Sequence, residues 1–269
     1  MKKRLALLLA VLWVCLSLSA CGTSSSSPSE SASESETPSL AQQQMNADTD
    51  AQSSEESHDA PQDAPQDAPQ KTASGHEIES FEIIYQEPEL PTGCEVTALA
   101  MILNYYDFDV DKVTLATEYL PCIDAEDYYG LDMDNYFIGD PTSYWGLICG
   151  TGAIVTAAND YFADCGSSWT ATDLTGTEPE QLYELIDSDI PVLVWVTIGL
   201  EDRDVQEGWY TDDGRYVDWG TMDHGAVLVG YSEGTVTIAD PISGTMVYDR
   251  SRFEEIFAER EYRCVIVQP

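Results

Sequence analysis

The sequence predicts an α+β fold for residues 77–269. Apolar residues recur at helical spacing in the first half of that stretch, and short β-branched or aromatic runs separated by turn residues dominate the second. A third observation sets the N-terminal limit: Ser, Gln, Asp, Pro and Ala crowd the positions before 75, while nearly every aromatic residue lies after them. About 190 residues remain, enough for one hydrophobic core.

Taken in order, residues 81–85 read as a strand. A helix is predicted over 94–106, with Val96, Leu99, Ile102, Leu103 and Tyr106 on one face, and a short helix opened by Asp111 follows. Residues 152–162 look helical, Thr177 caps a helix running to 186, and the β-branched run 190–198 fits a buried strand. The stretch 209–217 folds back at Asp213-Gly214, and 224–231 and 235–239 flank a turn at Glu233-Gly234. Strands at 245–248 and 263–267 surround a helix near 252–258. Helices early and antiparallel strands late make the class α+β.

Residues 1–20 read as an export signal, with Lys2, Lys3 and Arg4 ahead of an apolar run from 5 to 18 that is too short to span a membrane comfortably. The tetrad Leu18-Ser19-Ala20-Cys21 resembles the lipobox of bacterial lipoproteins, which implies lipid attachment at Cys21 and a place at the extracellular face of the cell membrane. Residues 22–76 have almost no aromatic or branched apolar content and cannot offset their ordering entropy by burial, so they read as a disordered linker. DAPQ repeats three times between 59 and 70; with nothing larger than Ala or Pro to stack, it reads as a spacer.

The chain carries a net charge of −38. Ten of its 49 acidic and four of its 11 basic residues precede position 77, leaving 39 against 7 in the folded part. Such a surface repels phosphodiester backbones, which excludes nucleic-acid binding, and keeps an exported protein soluble. No oligomerisation signal is present, and a monomer is expected.

Only three histidines exist, and His58 and His76 fall in the linker, so His224 is the imidazole on which chemistry in the folded part would rest. With no close His pair and no CxxC, a zinc site is excluded and no cofactor is expected. Cys94, in Pro91-Thr92-Gly93-Cys94-Glu95, directly precedes the apolar helix. The unpaired N–H groups at a helix start stabilise a thiolate, and the same N–H can hold an oxyanion. His224 begins one strand and Asp240 ends the next, placing Asp240 opposite residue 226 or 227 and within about 10 Å of His224 at the strand rise of ~3.3 Å per residue.

The run from Gln86 through Cys94 to Thr97 resembles the nucleophile segment of the papain-like cysteine peptidase clan, and more narrowly that of secreted relatives of the double-glycine leader peptidases. His224-Gly225-Ala226-Val227-Leu228-Val229-Gly230-Tyr231 and Ala239-Asp240-Pro241-Ile242-Ser243-Gly244 resemble that family's His and Asp motifs, in the family's order of Gln, Cys, His, Asp. The resemblance implies a papain-like fold with Gln86 at the oxyanion hole, Cys94 as nucleophile, His224 as general base and acid, and Asp240 as orienting partner. It implies a cysteine peptidase acting on peptide or wall-peptide amides through an acyl-enzyme, with amidase or acyltransferase variants; a non-catalytic peptide or wall binding module on the same fold is the alternative.

Cys94, Cys122, Cys149, Cys165 and Cys264 remain after export, an odd number consistent with one free thiol and two bridges in any of three pairings, or with five reduced thiols. Cys149, which leads into another helix through Gly150-Thr151-Gly152, is the rival nucleophile. Asp132, Asp134, Asn135 and Asp140 are weighed as a calcium patch and read as a solvated loop, their spacing departing from an EF-hand. Tyr128, Tyr129, Tyr136, Tyr144 and Trp145, with Trp209 and Trp219, are weighed as cleft aromatics and read rather as packing against the core.

Overall fold

The computed structural model describes residues 75–124, 130–206 and 208–269; Cys21 and the segments to residue 74 that were expected to be an export signal and a linker lie outside them, as do Tyr128 and Tyr129. The described chain opens with strand β1 (His76–Glu77), so His76, expected in the linker, belongs to a ladder, and its Nε2 lies 2.8 Å from Asp189 Oδ1. Residues 81–85, expected as a strand, have no ladder partner. That segment is held instead by Lys112, whose Nζ donates to the carbonyls of Tyr85 and, at 2.7 Å, Gln86.

Helix α1 (Cys94–Tyr105) is built from good helix formers such as Ala98, Leu99, Ala100, Met101 and Leu103. Every residue from Cys94 to Leu103 is buried, so it is a central helix without a solvent face rather than the one-faced helix expected. Helix α2 (Lys112–Thr114) is capped by Asp111, whose Oδ1 accepts from the Val113 and Thr114 N–H groups at 2.9 Å, and continues as a π-helical turn over Leu115–Tyr119. Short strands β2 (Cys122–Ile123) and β3 (Phe137–Ile138) pair in parallel before helix α3 (Thr151–Asp164).

Strand β4 (Thr170–Asp173) was not expected, because Thr-Ala-Thr-Asp offers one buried residue and no apolar alternation. Helix α4 (Pro179–Ile186) takes Glu178 as N-cap rather than Thr177, whose Oγ1 donates to the Leu174 carbonyl at 2.6 Å. Strand β5 (Val192–Thr197) is buried throughout. The hairpin of β6 (Trp209–Tyr210) and β7 (Tyr216–Val217) turns through Gly214, whose φ of 86° suits glycine. Strands β8 (Asp223–Tyr231), β9 (Thr235–Asp240) and β10 (Gly244–Asp249) form a meander; helix α5 (Arg250–Glu259), capped by Asp249, and strand β11 (Cys264–Gln268) close the chain.

The main sheet has the order β10-β9-β8-β5-β11-β4, with β1 added beside the end of β8, and all its pairings are antiparallel. Helix α1 packs on β8 and β5, α3 on β4 and β11, and α5 on β5, β9 and β10. One large core joins these layers, and a smaller cluster of Met133, Ile138, Ile148, Trp209 and Val217 lies under the β6–β7 hairpin.

The β8–β9 ladder contains a one-residue bulge. Tyr231 faces Val236 and Gly230 faces Thr237, but the next pairs are Leu228 with Ile238 and Val227 with Ala239, so Val229 has no partner on β9. Its carbonyl accepts from the Ile78 N–H at 2.8 Å. Side chains alternate along a strand, so this extra residue decides which face Asp240 shares. Continued without a bulge, the register from the turn would set Asp240 opposite Val227; with the bulge it lies opposite Ala226, on the side of the strand that His224 also occupies. Deleting Val229 removes the bulge but leaves the pairs Gly230–Thr237, Leu228–Ile238 and Val227–Ala239 in place, so the His224–Asp240 hydrogen bond is expected to persist. The readout is a retained downfield imidazole N–H proton resonance with β-sheet circular dichroism unchanged; loss of the resonance in a folded variant would contradict the register argument.

Candidate functional site

Cys94 is the first residue of α1, in the turn whose N–H groups lack intrahelical acceptors, after Gly93 as N-cap. A Cβ on Gly93 would lie 2.9 Å from the Leu90 side chain, so glycine lets the Leu90–Cys94 turn close. Cys94 is 8% exposed; its Sγ accepts from the Gly225 N–H at 3.4 Å and donates to Glu95 Oε2 at 3.2 Å. The thiol's own hydrogen bond thus goes to the neighbouring carboxylate rather than to the His224 ring. Burial first, and then the Glu95 charge, push the Cys94 thiol well above its ordinary range. The helix start, expected to favour a thiolate, is thus opposed here by desolvation and a carboxylate.

His224, 1% exposed, is held from behind by Asp240, with Nε2 and Oδ2 3.1 Å apart. Asp240 Oδ1 also accepts from the N–H groups of Ile242 at 2.7 Å and Ser243 at 2.9 Å. Burial raises the Asp240 carboxyl, but the hydrogen bond and charge of His224 and these two backbone donors outweigh it and leave it below its ordinary range. With Asp240 ionised, Nε2 carries the ring proton and Nδ1 is left as the acceptor.

Gln86 is buried, its backbone N–H donating to the Pro241 carbonyl at 2.9 Å and its Nε2 to the Pro91 carbonyl at 2.9 Å. Its segment is tied to the turn that follows Asp240 on one side and to Lys112 on the other, and Lys112 also pairs with Glu89 at 2.8 Å. Gln86, Cys94 and His224 line one cleft of about 310 Å³ together with Tyr144, Leu147, Ile198, Trp219 and Ile242. Of the residues singled out in the sequence, the structure brings Gln86, Cys94, His224 and Asp240 together; Cys21 lies outside the described residues.

Two features were not anticipated. Glu95, 1% exposed, lies beneath the thiol, and its Oε1 accepts from the Cys149 N–H at 3.3 Å; the Trp195 indole fixes Cys149 by donating to its carbonyl at 2.8 Å. Asp223, whose side chain is 1% exposed, pairs with Arg203 at 2.7 Å and Arg260 at 3.2 Å and anchors the start of β8 beside His224. A glutamate next to a cysteine in an acidic chain carries no sequence sign of burial, although the scarcity of arginines was a usable signal for Asp223.

Most of the remaining candidates separate from the cleft; Tyr144 and Trp219, expected to pack against the core, instead line it. Cys149 is buried, its thiol raised well above the ordinary range by burial and then by the Glu95 charge, and all five cysteines of the described residues are free thiols. Asp132 and Asp134, read as a solvated loop, are ion-paired, Asp132 with Arg215 and Asp134 with Arg215 and Arg263. Trp209 is core, and Trp145 is 85% exposed on a neighbouring groove with Asp140.

Comparison with known proteins agrees with this architecture. Residues 78–265 match the Peptidase_C39 like family, and the chain belongs to that family. It is 30% identical over 192 residues to the uncharacterized protein YvpB of Bacillus subtilis (strain 168), covering 69% of this chain and 74% of the relative. The crystal structure of a protein from Bacillus anthracis named as a C39-like peptidase superposes with a TM-score of 0.66 at 27% identity, covering 73% of this chain and 98% of that one. The fold is papain-like, and the folded part is a peptidase-like domain.

Gly225 sets the spacing of the site, since a Cβ there would come within 2.8 Å of Glu95 Cα and Cγ. Gly225→Ala is expected to lower the unfolding free energy by about 1–3 kcal/mol through overpacking. Gly234→Ala, at a position where an added Cβ meets nothing within 4 Å, serves as the control and should stay within about 0.5 kcal/mol of wild type. Urea titration checks both.

Proposed function

We propose that the protein is a membrane-anchored extracellular thiol hydrolase, a cysteine peptidase that cleaves peptide or wall-peptide amide bonds through an acyl-enzyme. The observation that carries the reading is the convergence of Gln86, Cys94 and His224 on one cleft, with Asp240 bonded to the far side of the imidazole. In this reading Cys94 Sγ attacks the scissile carbonyl, and the Gln86 side chain and the Cys94 N–H hold the oxyanion. His224 takes the thiol proton, passes it to the departing amine, and then activates the water that releases the acyl group. Asp240 keeps the ring in one tautomer and stabilises its cationic form. Cys21 carries the lipid.

A second reading, a non-catalytic binding module, is favoured by one observation: the Cys94 thiol is buried, raised and bonded to Glu95. The two part on thiol reactivity. In residues 75–269 treated with an alkylating electrophile at neutral pH, the enzyme reading expects labelling at Cys94 that falls by about 10²-fold in His224→Ala, the range ascribed to a positioned general base. Labelling independent of His224 would favour the binding module. For the anchor, Cys21→Ala expressed in a bacterial host is expected to move the protein from the membrane fraction to the medium; retention at the membrane would remove lipidation from the proposal.

A further inference from the structure

Glu95 is a buried carboxylate with an unusual set of partners. Among the described residues no lysine or arginine pairs with it; it is bonded to the Cys94 thiol through Oε2 and to the Cys149 N–H through Oε1. The titratable groups facing it are Cys94 on its own helix, Cys149 ahead of α3, and His224 on β8. Gly225 packs directly on its Cα and Cγ, and Trp195 holds Cys149, so the carboxyl is fixed between α1 and β8.

That geometry makes the position of one proton decisive. A thiolate 3.2 Å from an ionised carboxylate faces a like charge in a site with little water to screen it. A neutral carboxylic acid in the same place donates its O–H to the sulfur and stabilises the anion.

We propose that Glu95 is a further catalytic residue of this site and, in place of His224, the first acceptor of the Cys94 proton: it takes the proton of the thiol and, as the neutral acid, holds the resulting thiolate, while a protonated His224 serves the departing amine. The S–H bond breaks with its electron pair left on sulfur, and the proton forms an O–H bond at Oε2, so nothing is oxidised or reduced. The working state then holds two protons among the three groups, one on Glu95 and one on His224, with none on Cys94. When one is lost, the other returns to the thiol beside an ionised Glu95, an unreactive arrangement that fits the 3.2 Å separation of Sγ and Oε2 equally well. Consistent with this, burial holds the Glu95 carboxyl above its ordinary range, its hydrogen bonds and the His224 charge offsetting only part of the effect.

The inference rests on Cys94 being the nucleophile. The test measures the rate of Cys94 alkylation from pH 4 to 10 in wild type, Glu95→Gln and His224→Ala, mapping the label by mass spectrometry. Wild type is expected to pass through a maximum and fall by about tenfold per pH unit above it, the slope of a single ionisation. Glu95→Gln, whose amide N–H donates to the thiolate at every pH, is expected to lose that alkaline fall. A rate that only rises with pH, as for a simple thiol, overturns the proposal. His224-dependent labelling with superimposable wild-type and Glu95→Gln profiles overturns it while leaving Cys94 as nucleophile; no His224-dependent labelling at any pH removes both. Should Glu95→Gln fail to fold, carboxyl-13C NMR of wild type decides: a Glu95 resonance titrating with the alkaline limb supports the role, and one ionised throughout refutes it.

Discussion

The geometry of the cleft depends on a parity. A strand presents alternate residues to opposite faces, so the separation of His224 and Asp240 along a hairpin is not enough to make them meet; their positions must also agree modulo two. Leaving Val229 out of the ladder brings them into agreement, since pairing it would set Asp240 opposite Val227, and the Ile78 N–H satisfies its carbonyl, tying the first residues of the fold to this irregularity. With Asp240 so placed, the turn after it offers the Ile242 and Ser243 N–H groups to the carboxylate and the Pro241 carbonyl to Gln86. A single irregularity in one ladder therefore positions groups from three segments.

A second constraint is the close approach of α1 to β8 at Gly225. It brings the helix start against the strand that carries His224 and encloses Glu95 in the contact. The excess of acid elsewhere makes this notable: the exterior carries most of the carboxylates in water, whereas the cleft is framed by the few cations the folded part has. Arg203 and Arg260 hold Asp223 at the start of β8, and Lys112 holds the Gln86 segment. Few basic residues are present, and three of them brace the walls of the site.

Much of this was legible in the chain. The apolar helix after Gly93-Cys94 and the strand pair around Glu233-Gly234 follow from local pattern, and family-like motifs single out Gln86, Cys94, His224 and Asp240. What was not legible has a common cause, dependence on partners distant in sequence. Residues 81–85 have strand-like composition, but the structure gives them Lys112 instead of a neighbouring strand. β4 forms because β11 lies beside it, not because Thr-Ala-Thr-Asp demands a strand. Val229 looks like any other strand valine, and residue 226 could not be told from 227 by counting. Glu95 reads as one more solvated acid until the close packing of Gly225 shows that it is buried.

Lys112 has a chemical consequence of its own. The chain has four lysines and three of them precede residue 75, so the described residues contain a single side-chain primary amine. That amine, only 11% exposed, bonds to the carbonyls of Tyr85 and Gln86 and to the Glu89 carboxylate. Acylating it would erase the charge, leave one N–H in place of three, and loosen the strap that carries Gln86. Amine chemistry at this one side chain would therefore act on the Gln86 segment through its hydrogen bonds.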